Sequence, residues 1–533
     1  MRRDGVQPAG LTTDAEFFRR VYLDLTGRIP TYDQTRAFLG SNALDSDRRS
    51  KLIDTLLASN AYVDQFSYWF RQRFQIVPYL GFMSDAERNH FYDFVRKSVA
   101  TDAPYDGFVR ALLTASGDSD IEPAMAFLGG RFVNSAPDQD TWDAFTNMAA
   151  TQFLGINTDC ISCHDGRGHL EKINLDLTSR RRRDFWRLSA FFARTRFRLI
   201  SDDSVSYRPR LIFSNSAGGL YNGVINPAQP GARPPRTGAN ETPLYWMTGE
   251  EPSNENWRQE FARILTADRQ FARASVNWLW SYFFGSGIVD PPNGWDMRRV
   301  DPADPPPEGW PSQNVNPELL DALADRFIQS GYSLKTIIRL IVNSNAYQLS
   351  SRYSAGPWNT AYGGYFARHE ARRLTAEQLI DSLITATGTE TDLYVYGMPG
   401  VVMHYANQLP HPNASAQLNT LLSSMGQGDW INQLPTNKPS LYGVLDFFNS
   451  WYSEVHTRAT ANQYSPQSNA AAWIAAGLSD SEILQRMFLA TLSRPATAAE
   501  LQAAQARKLS DRLLWLSSVQ WALVQKIDFV FNY

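Results

Sequence analysis

The sequence predicts a mainly α-helical protein: two helical lobes joined by an irregular, partly β segment, with long proline-rich loops. Apolar residues recur at helical spacing over most of the 533 residues. Three stretches, 203–255, 291–316 and 396–438, lack this spacing. The first mixes aromatic residues with Gly, Pro and Asn, which predicts short strands and loops. The second includes a run of three prolines, which excludes regular structure.

The first 115 residues are predicted to form consecutive helices. Asp14 caps the first helix, Pro30 forces a break, and Thr31 caps the second helix. We divide the chain into an amino-terminal helical domain (1–200), a connecting segment (201–255) and a carboxy-terminal helical domain (256–533). Later helices are predicted at 142–154 (ended by Gly155), 256–286, 317–330, 334–345 and 374–387, and in the last hundred residues.

Two segments near opposite ends of the chain share a pattern. The sequence DAEFFRRVYLDLTGR starts at Asp14, DSEILQRMFLATLSR starts at Asp480, and a proline follows both. A duplicated helical unit would place Arg20 and Arg486 in equivalent surroundings. Shared capping and packing demands would explain the similarity without a duplication.

Charge and hydropathy exclude two classes of partner. The formal net charge is −3, so no global positive field recruits nucleic acid. No apolar stretch approaches the ~20 residues of a membrane span, so no transmembrane segment is expected. The amino-terminal MRRDGVQPAG has no apolar segment behind its two arginines and is not a signal peptide as written.

The chain has two cysteines, Cys160 and Cys163, and His164 follows directly. C-x-x-C-H is the attachment pattern of c-type haem. Two thiols on one turn can each add to a haem vinyl group, and the adjacent imidazole then reaches the iron. The pattern predicts one covalent haem c on both cysteines, with His164 as the proximal ligand. Since such haem is attached outside the cytoplasmic membrane, we expect a periplasmic or cell-surface protein whose leader is absent from this numbering.

Other interpretations of the two cysteines stay open. A zinc ion would use Cys160, Cys163, His164 and His169, although ligation by two adjacent residues is strained. A thioredoxin-type redox pair would follow a strand in a βαβ unit, which the sequence does not predict. Two buried, inert cysteines are the remaining interpretation.

The distal haem ligand has three candidates, and an open position is the alternative. Met247 lies in the loop-like LYWMTGEEP, and Met297 lies in the proline-rich stretch. Plain packing would explain either methionine. His169 is only five residues beyond His164, which is a short reach to the opposite haem face.

One helix rich in arginine is predicted over 180–198. Guanidinium groups pair bidentately with carboxylates, so this helix suits haem propionates or an acidic partner. A solvated helix face is the alternative. The arginines are Arg180, Arg181, Arg182, Arg183, Arg187, Arg194, Arg196 and Arg198.

Long segments resemble two paired families. EFFRRVYLDLTGRIPTYDQTRAFL and SDRRSKLIDTLLAS are similar to domain-of-unknown-function family fifteen-forty-nine. FARASVNWLWSYFFGSGIVDPP, NPELLDALADRFIQSGYSLKTIIRLIVNSNAYQLSSRY and RRLTAEQLIDSLITATG are similar to family fifteen-fifty-three. These families are associated with planctomycete-type surface cytochromes.

The resemblance implies haem binding at Cys160, Cys163 and His164, because the first family typically carries CxxCH near its end. Many members continue with CHDHP, whereas this chain has CHDGRGHL, which displaces the second histidine to His169. Many members read HPELL where this chain has Asn316 before PELL. The resemblance implies a secreted, often surface-located protein and supplies no reaction.

Together these observations predict a metal-binding cytochrome c: a secreted, single-haem protein of electron transport in the periplasm or at the cell surface. Other protein subunits or redox proteins are the expected partners. One alternative is an enzyme of extracellular polymer turnover with an accessory haem. The other is a structural assembly protein in which haem staples the fold. The motif favours an electron carrier or assembly component over a hydrolase.

Overall fold

The computed structural model confirms the mainly α fold class, with 54% helix and 6% strand in short pieces. In the described part of the chain, no helix has the length and apolarity that crossing a membrane requires. The structure describes residues 5–42, 45–77, 84–134, 136–200, 210–222, 240–430, 435, 441–459 and 468–533.

The chain forms two compact units. The first unit combines Met1–Gln75 with Val342–Tyr533, and the second is Ile76–Ile341. The first unit therefore contains both ends of the chain. The two predicted lobes are not confirmed, and the predicted boundaries at 200 and 255 stay a prediction.

The first unit begins with four helices, and further helices follow where its chain resumes. The first four are α1 (Asp14–Thr26), α2 (Tyr32–Leu39), α3 (Arg48–Leu57) and α4 (Asn60–Phe74). The second unit and its carboxyl end hold α5 (Asp85–Ala100), α6 (Tyr105–Thr114), α7 (Met125–Gly129), α8 (Asp138–Ala149), α9 (Asp159–Cys163), α10 (Leu175–Ser179), α11 (Arg182–Ser189), α12 (Trp257–Ala267), α13 (Arg269–Phe284), α14 (Pro317–Gln329) and α15 (Leu334–Asn343). The first unit resumes with α16 (Ala376–Thr387), α17 (Asn419–Ser424), α18 (Leu441–Asn449), α19 (Trp451–Thr457), α20 (Asn469–Ala475), α21 (Asp480–Leu492), α22 (Ala498–Ala506), α23 (Arg512–Val524) and α24 (Ile527–Val530).

The strands are short and antiparallel. They are β1 (Gly117–Asp118), β2 (Thr195–Ile200), β3 (Arg210–Asn215), β4 (Tyr221–Asn222), β5 (Asn240–Glu241), β6 (Arg372–Arg373), β7 (Leu393–Tyr394), β8 (Val402–Met403) and β9 (Phe531–Asn532). Three strands of the second unit form one sheet in the order β1-β3-β2, with Phe197 of β2 opposite Phe213 of β3. The other strands form the pairs β4–β5, β6–β9 and β7–β8.

The prediction of one helix over 180–198 is wrong. Helix α11 ends at Ser189, a 3-10 turn follows, and Thr195–Ile200 is strand β2. The sequence TRFRLI alternates in polarity, which suits a strand. Phe197 packs against Phe213 and Phe145, with ring centroids 5.2 and 5.7 Å away. Pairing with a distant strand therefore overrides the local helical spacing.

The irregular stretches are largely as predicted where the structure describes them. Residues 291–316 contain one 3-10 turn, Met297–Arg299. The stretch 396–438 contains a 3-10 turn, Ala406–Gln408, and the short helix α17. Residues 201–209, 223–239, 431–434 and 436–438 of the predicted irregular stretches and connecting segment lie outside the described residues.

The similar segments at Asp14 and Asp480 form helices with the same boundaries. A capping box begins each helix: Thr13 with Glu16 at α1, and Ser479 with Glu482 at α21. The predicted cap Asp14 is instead the first helical residue. Each helix ends in a residue with a left-handed backbone.

The surroundings of the two matching arginines differ. Arg20 is buried and donates to the backbone oxygens of Tyr347, Leu349 (3.0 Å) and Tyr533 (3.2 Å). Arg486 is half-buried, and its guanidinium lies 5.0 Å from the centre of the ring of Tyr32. The similarity therefore reflects shared capping, since the arginines do not occupy equivalent sites.

We predict that Arg20→Met costs about 3 kcal/mol or more of unfolding free energy, because buried carbonyl oxygens lose their donors. The matched variant Arg486→Met should cost about 1 kcal/mol or less, the usual size of a partly exposed cation–π contact. Urea unfolding of both variants measures the difference. Equal losses would contradict the assignment of Arg20 as the buried anchor.

Asp381 on α16 is a buried carboxylate held by backbone donors. Its two oxygens accept the N–H groups of Ala406 (2.6 Å) and Asn407 (3.1 Å). Burial raises the pKa of Asp381 to about 7, and these hydrogen bonds offset only part of that rise. The folded protein therefore holds a proton that the unfolded chain has released between about pH 4 and pH 7.

We predict that this carboxyl group makes stability fall as pH rises from about 4 to 7, by at most about 1.4 kcal/mol per pH unit. Asp381→Asn should remove that contribution to the slope. Asp480 is the matched control: hydrogen bonds from Lys508 and Arg512 lower its pKa, so its contribution is lost as pH falls. Urea unfolding across this pH range should show a smaller fall in stability for Asp381→Asn, whereas Asp480→Asn should leave the slope unchanged, because a carboxyl with a lowered pKa is ionised in both states above about pH 4. An unchanged slope in Asp381→Asn would refute the assignment.

Candidate functional site

The CISCH segment lies on the short helix α9 of the second unit. Ile161 and Ser162 point inward, with 0% and 1% of their surface exposed. Cys160 is exposed, Cys163 is half-buried, and both thiols are free. His164 immediately follows the helix in an extended conformation. Residues three and four apart share one helix face, so the helix buries one side and presents both thiols on the other.

The chain before α9 is anchored in the second unit. Gly155 ends the preceding helical segment with φ 74°, and its carbonyl accepts the N–H of Trp295 at 2.9 Å. A β-carbon at Gly155 would come within 2.7 Å of the Trp295 ring, so the position requires glycine. The hydroxyl of Thr158 donates to Oδ1 of Asn147 on α8 at 2.6 Å. These contacts fix the point at which α9 starts.

A backbone hydrogen bond defines the state of the His164 ring. Its Nδ1 lies 2.8 Å from the carbonyl oxygen of Asp165. A carbonyl can only accept, so Nδ1 carries the hydrogen, and in the neutral ring Nε2 then carries the lone pair. The His169 ring packs against the His164 ring, with centroids 4.1 Å apart. The structure thus brings together two histidines that the sequence separates by five positions.

Three hydrogen bonds tie the turn after the motif to the start of α11. The carboxylate of Asp165 accepts the backbone N–H of Arg182 at 2.8 Å. The N–H of Gly166 donates to the carbonyl of Arg180 at 2.9 Å. Nε of Arg182 donates to the carbonyl of Ser162 at 3.2 Å. The sequence pattern named Arg182 only as one member of the arginine-rich set, and it did not identify Gly166 as a site residue.

Gly166 packs directly against the backbone of α10. A β-carbon there would overlap the backbone of Leu177, so only glycine fits. A glycine two residues beyond the histidine is the one local signal that could have indicated this tight turn.

Most arginines of the expected cluster have partners within the unit. Arg180 pairs with Asp176 at 3.1 Å and lies 5.6 Å from the centre of the Trp246 ring. The other pairs hold residues 241–255 against the segment that begins with α11. They are Arg183–Glu241 at 2.6 Å, Arg187–Glu251 at 3.0 Å, and Arg194–Glu255. These arginines therefore contribute to the packing of the unit.

The three distal candidates lie in different surroundings. The Sδ atom of Met247 lies 3.6 Å from the hydroxyl of Tyr245, whose single hydrogen is donated to Asp268 at 2.7 Å. Met297 begins the 3-10 turn beside α10, where the preceding Asp296 accepts two backbone N–H groups. His169 is the candidate that contacts His164.

The expectation of a metal-binding protein requires a correction. Within the described residues, no group of three or more His, Cys, Asp or Glu side chains could hold a metal ion. A zinc site made from Cys160, Cys163, His164 and His169 is therefore wrong, although all four residues are described. One physical reason is that Cys163 and His164 are adjacent in the chain, and ligation of one ion by two adjacent residues is strained.

Comparison with known proteins gives two family matches, arranged in order along the chain. Searches of curated proteins and of solved structures found no match. Residues 1–197 match the family described as "Protein of unknown function (DUF1549)", and residues 257–507 match "Protein of unknown function (DUF1553)". The CISCH segment lies within the first match. The predicted resemblance to these two families as a pair is confirmed.

Proposed function

We propose that Cys160 and Cys163 attach one c-type haem covalently, and that His164 supplies its axial imidazole. The protein would be a secreted single-haem cytochrome that transfers electrons within a periplasmic or cell-surface assembly. The observation that carries this proposal is the outward-facing pair of free thiols on one turn, followed by an oriented imidazole.

The thiols suit covalent attachment because they are not joined in a disulfide and because Cys160 is exposed. The buried side chains of Ile161 and Ser162 anchor the helix, which leaves Cys160 exposed and Cys163 half-buried, with its Sγ 3.7 Å from the hydroxyl of Ser162. A porphyrin contributes its own four nitrogen ligands, so it needs these two thiols and one imidazole rather than a cluster of protein ligands.

His164 suits the axial role because its hydrogen bond leaves the correct nitrogen free. Nδ1 donates to the Asp165 carbonyl, and Nε2 keeps the lone pair that an axial ligand requires. The carboxylate of Asp165 in turn accepts the N–H of Arg182, which restrains the peptide that holds the imidazole. Ring orientation is therefore set before any cofactor is present.

The exposure of the site supports electron transfer rather than chemistry in a closed cavity. When attached, haem supplies a one-electron couple at its iron. Because Cys160 is exposed and Cys163 and His164 are half-buried, the attachment point lies at the surface of the second unit. A partner protein can approach such a surface. Because a single haem cannot carry electrons over the length of a 533-residue protein by itself, transfer over a longer distance requires other redox centres.

We predict covalent haem when the chain is exported into a host periplasm that has c-type haem ligation. The wild-type protein should gain the mass of one haem and keep its colour through acid–acetone extraction. Cys160→Ser/Cys163→Ser should be colourless, because neither thioether can form. Intact-mass spectrometry and the reduced absorbance spectrum measure both results.

His169→Gln is the matched control, because it removes the neighbouring imidazole and keeps the attachment residues. This variant should carry haem at the wild-type level. A colourless wild-type protein whose two thiols oxidise to a disulfide would replace the cytochrome proposal with a redox dithiol. Haem on the wild type but a changed spectrum in His169→Gln would assign His169 as a distal ligand.

A further inference from the structure

Two arginines beside the CISCH segment differ from their neighbours. Arg167 and Arg181 are exposed, and neither guanidinium forms an ion pair or hydrogen bond within the described residues. Arg180, Arg183 and Arg187, in contrast, pair with carboxylates. A guanidinium stays charged at all physiological pH values, and both keep free donors. The Arg167 charge is partly balanced by Glu171, whose pKa is lowered by its backbone hydrogen bonds and, to a smaller extent, by His169 and Arg167.

The backbone brings these two arginines together. Gly166 donates its N–H to the carbonyl of Arg180, and each of these bonded residues directly precedes one of the two arginines. The absence of a β-carbon at Gly166 allows this approach. The same turn places the His169 ring against His164. Arg167 therefore lies in the loop that packs on the candidate haem ligand His164, and Arg181 lies beside that loop at the start of α11.

Nearby carboxylates are engaged elsewhere. Glu171 accepts the backbone N–H of Gly168, and Asp184 accepts the backbone N–H of Arg181 at 2.8 Å. Each carboxylate completes a local turn, and neither forms a salt bridge with Arg167 or Arg181 among the described residues. Two guanidinium groups with free donors form a receptor for two carboxylates, since each can bind one bidentately.

We propose that Arg167 and Arg181 bind the two propionate groups of the haem. This inference rests on the proposed function, and it assigns the charged end of the cofactor to this chain's own residues. The haem periphery carries two carboxylates as its charged groups, which matches two unpaired guanidinium groups in number and sign. The arginines act as cofactor-binding residues that fix the haem by its propionates, in addition to the thioether bonds.

The test is a titration of the midpoint potential of the attached haem against pH. Arg167→Gln/Arg181→Gln should raise the pH at which the propionates take up protons by about 1 to 3 units, because an adjacent cation favours the carboxylate form. Arg167→Lys/Arg181→Lys keeps the charge without the bidentate fork and should show a smaller shift. The single Gln variants should each give a partial shift, and they serve if the double variant does not fold.

Arg183→Gln is the matched control, because Arg183 lies in the same cluster but pairs with Glu241. It should leave the titration unchanged. Covalent haem in Arg167→Gln/Arg181→Gln with a wild-type titration overturns this inference and leaves the proposed function standing. Absence of haem from the wild-type protein, seen by mass, overturns both. An unchanged titration with slower reduction by an acidic donor protein at low salt would assign the arginines to a partner instead.

Discussion

A buried guanidinium must find acceptors, and this constraint organises both compact units. In the first unit Arg20 reaches the carbonyls of Tyr347, Leu349 and Tyr533, which come from distant parts of the chain. In the second unit Arg258 donates to the carbonyl of Ala115 at 2.8 Å. Burial lowers the pKa of each of these arginines to about 10, and for Arg20 this desolvation outweighs the favourable charges of Tyr347 and Asp24. Such groups penalise alternative packings because removing an acceptor leaves a charge uncompensated.

Asp24 extends this constraint within the first unit. It accepts hydrogen bonds from the hydroxyl of Tyr347 at 2.7 Å and the amide of Asn532 at 2.8 Å, and it pairs with Arg372 at 3.1 Å. Burial raises the pKa of Asp24, and Arg372 opposes that rise. Residues near both ends of the chain thus share one buried network, which explains why the first unit combines them.

The candidate site, in contrast, buries uncharged side chains and exposes a thiol. Its inward side chains, Ile161 and Ser162, are buried, whereas Cys160 faces solvent. Backbone hydrogen bonds at Asp165 and Gly166 hold the following turn against α11. A firmly held backbone with free thiols and an oriented imidazole suits a covalently attached group, since attachment then requires little rearrangement of the protein. The exposed Arg167 and Arg181 fit this view, because neither forms an ion pair within the described residues.

Local pattern alone determined much of this protein. It predicted the mainly α fold, the cap at Thr31 and the end of a helix at Gly155, because capping and helical spacing act within a few residues. It also predicted that Cys160, Cys163 and His164 form one functional group, and the proposed function rests on that prediction. Tertiary structure decided what distant partners control: β2 forms because β3 pairs with it, and Arg20 differs from Arg486 because only Arg20 meets buried carbonyls. The orientation of His164 and the turn at Gly166 likewise depend on folding against α11, since the positions of long-range hydrogen-bond partners leave no periodic trace in a single sequence.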